Sequence, residues 1–130
     1  MRAMILFGLG LIIGGAVTAI TLNMLAQNSA YPRGLMQVMQ RHYSGLRSDL
    51  RAGRCSNVTL EAQALRQLAG EVESAVYGSV TPDGPFRKFN QRLQDALTGV
   101  LSALTSDCPA LAPLVERVGN ACEACHQQYR

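Results

Sequence analysis

Cys122-Glu123-Ala124-Cys125-His126-Gln127-Gln128-Tyr129-Arg130 is the stretch on which the reading of the whole chain turns. Two cysteines with two residues between them, followed at once by histidine, form the pattern of covalent c-type haem attachment. Each residue has a chemical task in it. The thiols of Cys122 and Cys125 add across two haem vinyl groups and leave thioethers. A spacing of three puts both sulfurs on one helix face. His126 is then the expected proximal iron ligand. Arg130 lies four residues past His126 on the same face, placed to approach the proximal side of the haem or a propionate. The expected cofactor is one covalent haem c per chain.

Two other chemistries use a C-x-x-C pair. A redox dithiol normally opens a helix after a strand, whereas this pair falls at the end of the last helical stretch. A zinc site needs two further ligands, and only His42, Cys55 and Cys108 are available to supply them.

The chain has 130 residues, enough for one domain and an extension. Its formal charge is +3, and two haem propionates would bring it towards neutral. There is no basic stripe and no Trp, so nucleic acid is not an expected partner. No constellation of catalytic acid, base or nucleophile stands out, and no enzyme activity is expected.

Residues 5–26 form an uncharged, largely apolar run, long enough for roughly 33 Å of helix. A cleaved secretory signal has a shorter core and a small-residue cleavage site; a weak site exists at Asn28-Ser29-Ala30. The length favours an uncleaved signal anchor in a bacterial inner membrane, with Arg2 in the cytoplasm and the rest in the periplasm. The alternative is a soluble periplasmic protein after cleavage. Gly10 and Gly14 make a small-x-x-x-small pair that can pack two anchors into a homodimer; glycine merely tolerated in a membrane helix is the commoner case.

Residues 27–31 read as a short polar linker, dividing the chain into an anchor over 1–30 and a domain over 31–130. Pro32 suits a helix's first turn. Met36, Met39, Tyr43, Leu46 and Leu50 then make an inward stripe, and Gly53 a C-terminal cap. A second helix is expected from 57–59, with Leu65, Leu68, Val72 and Val76 inward. Thr81-Pro82-Asp83-Gly84-Pro85 is a turn. A third helix follows near Pro85 with Phe86, Phe89, Leu93, Leu97, Val100 and Leu104 inward, and Ser106 or Asp107 ends it. The fourth begins between Pro109 and Pro113 and turns Leu111, Leu114, Val118, Cys122, Cys125 and Tyr129 inward.

Four such helices with short loops predict an all-α, antiparallel up-down-up-down four-helix bundle behind an N-terminal membrane-spanning helix. In that arrangement the start of the first domain helix lies beside the end of the last. Met36 therefore falls near Cys122 and His126. Cys55 and Cys108 fall together at the opposite end, a candidate disulfide in an oxidising periplasm.

Cys122, Cys125, His126, Tyr129 and Arg130 at the end of a helical chain resemble the class II c-type cytochromes, the cytochrome c′ family. The resemblance covers residues 31–130. Tyr31-Pro32-Arg33-Gly34-Leu35-Met36 is similar to the family's first helix, where a Tyr-Arg pair opens the helix and the distal residue follows the Arg by four. Matched on Tyr31, the distal position is Met36. Pro32 stands where the family has its Arg. The disulfide pair is not a general family feature.

The resemblance implies one of two functions. With a methionine as sixth ligand the iron is low-spin and carries electrons, and Met36 points that way. With an apolar distal residue it is five-coordinate and binds nitric oxide or carbon monoxide. Met39 is the main rival to Met36, and methionine also fills cores without touching iron. His42 is expected as a partly buried polar residue. A third reading is an assembly subunit of a respiratory complex. As a tethered carrier the protein would exchange electrons with a membrane-embedded or periplasmic redox partner.

Overall fold

Apolar residues spaced by three and four are realised as helix along the chain. In the computed structural model, residues 2–78, 80–103 and 108–129 are described, with side chains for all of these except 2–7, 9 and 23–29. Four α-helices follow in order: α1 (Arg2–Arg51), α2 (Cys55–Tyr77), α3 (Gly84–Ser102) and α4 (Ala112–Gln128). A 3-10 turn, Cys108–Leu111, leads into α4. No strand occurs among the described residues.

The chain divides into two compact units, Met1–Arg33 and Gly34–Arg130. In the first, Leu11, Ile12, Ile13, Val17 and Ile20 are all exposed. Thr18 and Thr21 donate their hydroxyls to the carbonyls of Gly14 and Val17, at 2.8 and 2.6 Å. Among the described residues no helix is long and apolar enough to cross a membrane. The expected anchor at 5–26 extends over side chains outside the described residues.

The linker expected at 27–31 is instead helical. Pro32 does not open a helix but lies inside α1. An interior proline deletes one rung of the hydrogen-bond ladder and costs about 3 kcal/mol, which the many remaining rungs of a long helix can offset.

In the second unit the core is aliphatic. Leu46, Val58, Ala62, Leu97, Val100 and Val118 are wholly buried, with Leu65, Phe86 and Leu111 nearly so. The α1 stripe is placed as expected: Met39 and Leu46 are buried, and Met36, Tyr43 and Leu50 pack against them. α1 closes at Arg51, and Gly53 takes the left-handed φ of +70° that a cap glycine supplies. Buried Asp49 secures this corner by accepting a 2.8 Å bond from Arg54 Nε. α2 begins at Cys55, a little before the expected 57–59. Its inner face is built from Ala62, Ala69 and Ala75 as well as Leu65 and Val72, while Val76 is exposed. Alanine there lets neighbouring helices approach closely, so apolar bulk is a poor guide to which side faces inward.

α3 starts where the turn predicts. Asp83 caps it by accepting from the Phe86 N–H at 2.7 Å, and Pro85 occupies its first turn. α4 begins at Ala112, which leaves Pro113 harmlessly in the first turn. Leu104, Ser106 and Asp107 lie outside the described residues.

α2 packs on α3, and α3 on α4. α1 meets α2 through His42, whose Nδ1 stands 2.6 Å from Glu61 Oε2. It meets α4 where the Tyr43 phenol lies over Gly119; a Cβ there would overlap the ring, so glycine permits this approach.

Candidate functional site

One cleft gathers the residues that the motif reading singles out. Its walls are Met36, Met39 and Gln40 of α1, Leu65 and Val72 of α2, Phe89, Asn90 and Leu93 of α3, and Ala121, Cys122, Cys125 and His126 of α4. Its enclosed free space is about 40 Å³. The lining is aliphatic and aromatic, with few polar groups.

Helical spacing does what the sequence promises. Cys122 and Cys125 are both half-buried and both face the cleft, and His126 lies at its edge. The two thiols are free. Burial, with the neighbouring Cys125, pushes the Cys122 thiol up to about 11, and burial raises Cys125 as well. A redox dithiol needs the opposite, a thiol acidified so that thiolate attacks at neutral pH. The zinc alternative also loses its ligands: Cys55 and Cys108 stand at disulfide distance from each other, and His42 is engaged by Glu61. Among the described residues no group of three or more His, Cys, Asp or Glu is placed to hold a metal.

Met36 and Met39 both line the cleft, so the structure brings the expected distal residue and its rival to the same wall. Met39 is the more buried. Tyr31 is exposed. Arg130 lies outside the described residues.

Cys55 and Cys108 have Cα atoms 5.7 Å apart, inside the range a disulfide spans. The pair joins the start of α2 to the turn before α4.

Two features escaped the sequence reading. The first is a latch around Asp83. Oδ1 accepts from Tyr129 Oη at 2.8 Å as well as from Phe86 N, and Oδ2 accepts from Tyr77 Oη at 3.0 Å. The Phe86 N–H and the Tyr129 hydroxyl hold the Asp83 carboxyl below its usual range. Burial and the bond to Asp83 push Tyr129 up to about 12. The Tyr129 ring meets Phe86 edge-on at 5.1 Å and Phe89 at 6.1 Å. The tail of the C-x-x-C-H segment is thereby fastened to the start of α3. Residues 81–85 were legible as a turn; the capping by Asp83 and its tyrosine partners, one of them 46 residues away, were not.

The second is Asn90, buried to 4% exposure in the cleft wall. Its Nδ2 donates to Glu73 Oε1 at 3.2 Å, and its Oδ1 has no partner among the described residues. No hydropathy stripe flags an inward asparagine.

The donor set suits a covalently held haem: two free thiols on one face, an adjoining imidazole, a thioether across an apolar cleft, and an orphaned acceptor in its wall. Comparison with known proteins gives no match to a family model, a curated protein or a solved structure.

Proposed function

We propose that the protein is a membrane-tethered c-type cytochrome that carries electrons at the periplasmic face of a bacterial inner membrane. One observation carries the reading: Cys122, Cys125 and His126 of α4 and Met36 of α1 line a single apolar cleft. Cys122 and Cys125 would hold a haem through thioethers, and the His126 imidazole and the Met36 thioether would be the protein ligands to its iron. The haem, when bound, supplies a one-electron iron couple. The chain's own contribution is to keep water off that couple and to choose its ligands. Aliphatic walls disfavour the more highly charged state, and a thioether favours reduced iron; both raise the potential.

The domain reading is an antiparallel four-helix bundle. The pairings between α1 and α4 support it. Met36 shares a cleft with His126, Tyr43 lies on Gly119, and Leu50 shares a groove with Ala112. As the number rises along α1, its partner's falls along α4. Between α2 and α3, Glu73 pairs with Asn90 and Tyr77 with Phe86, with the same inversion.

The tether reading rests on the uncharged, largely apolar run at 5–26. In its described part apolar side chains point outward on all sides, and both threonine hydroxyls are satisfied by the helix itself, as a lipid environment requires.

The optical spectrum of the purified haem protein, with and without nitric oxide, tests the function. Low-spin oxidised protein that ignores nitric oxide, with Met36→Leu turning high-spin and binding it readily, is the expected result. Wild-type protein that is already high-spin at neutral pH refutes Met36 ligation and moves the function to gas binding.

A further inference from the structure

Asn90 sits where an apolar wall would favour leucine. A buried acceptor without a donor costs free energy, so its presence calls for a partner that the described residues do not supply. The amide cannot be turned round to solve this. Rotation would set Oδ1 against the Glu73 carboxylate, acceptor against acceptor, so Nδ2 stays with Glu73 and Oδ1 stays unpaired.

The cleft offers it a donor. His126 lines the same cleft. The register of α3 on α4 sets the two residues at one level: Phe89 packs on Tyr129, and Arg92 shares a groove with Ala124. Asn90 lies between Phe89 and Arg92, and His126 between Ala124 and Tyr129. A histidine that ligates a metal through one ring nitrogen almost always donates the other N–H to an acceptor, which fixes its orientation and raises its basicity. Gln40, the other neutral amide of the cleft, is on α1 and open to solvent.

We propose that Asn90 is the positioning residue for the axial imidazole: its Oδ1 accepts the hydrogen bond from the second ring nitrogen of His126, and Glu73, by holding Nδ2, fixes and polarises the amide. The relay Glu73–Asn90–His126 makes the imidazole a stronger donor to iron and favours the oxidised state. The cytochrome therefore carries a brake on the potential that its apolar cleft and thioether would otherwise set. The inference rests on His126 being the proximal ligand.

The test uses the full-length haem protein with Asn90→Leu and Glu73→Gln in parallel. Glu73 is only half-buried, so its variant keeps the measurement available if Asn90→Leu does not fold. Asn90→Leu is expected to raise the reduction potential. It should also speed solvent exchange of the His126 ring proton, followed by NMR in the reduced state, about fivefold, the factor one ordinary hydrogen bond is worth. Glu73→Gln is expected to move both in the same direction by less. Exchange unchanged in the variants overturns the proposal, whatever the potential does, because a merely apolar substitution can move the potential alone. Wild-type protein without covalent haem overturns the proposed function and this inference with it. Haem present with unmoved exchange overturns the Asn90 role alone.

Discussion

Breaking the Cys55–Cys108 bridge should weaken the domain about as much as truncating one of its largest buried side chains. The two residues are 53 apart in sequence, and their Cα atoms lie 5.7 Å apart. A link of that span removes loop freedom from the unfolded chain worth about 4 kcal/mol in the chain-entropy model. That is a large fraction of the roughly 5–15 kcal/mol by which domains are stable. For a unit the size of Gly34–Arg130, each kcal/mol moves the melting midpoint by roughly 4–8 °C, so the loss amounts to about 15–30 °C. In urea, with a slope near 2 kcal/mol/M, the midpoint should fall by about 2 M. The bridge ties the start of α2 to the turn that launches α4, at the end of the unit remote from the cleft. Its loss should thus lower stability without changing the haem spectrum. The assay is urea unfolding of wild-type protein with and without a thiol reductant, beside Cys55→Ala/Cys108→Ala. Reductant spares thioethers, so haem attachment is a constant in the comparison. Coincident midpoints with and without reductant, or two thiols that label in unreduced, unfolded protein, refute the reasoning.

Covalent attachment is checked by denaturing electrophoresis with haem staining: wild-type protein should retain the haem, and Cys122→Ala/Cys125→Ala should release it. Haem retained by the double variant rejects the assignment of both cysteines. Membrane tethering is checked by sequencing the N-terminus of protein isolated from membranes. A chain that retains residues 1–30 fits the anchor, and one that begins at or near Tyr31 excludes it.

The sequence by itself determined most of the helices, because helical spacing is local. A spacing of three and four decides which residues share a helix face, so Leu46, Leu97, Val100 and Val118 were legible as core and the two motif cysteines as neighbours on one face. Gly53 and the Thr-Pro-Asp-Gly-Pro turn were legible for the same reason, since left-handed φ and fixed φ belong to single residues. Tertiary structure decided what depends on how helices meet. Small alanines, not Val76, face inward on α2, because close approach rewards shape over bulk. Pro32 and the residues before it are helical, because a long helix can absorb one missing bond. Tyr129 reaches Asp83, and Glu73 reaches Asn90, only once the registers of α2, α3 and α4 are set. Polar residues turned inward contradict the hydropathy pattern, so no stripe could announce Asn90; its partner Glu73 comes from another helix, and only packing brings the two together.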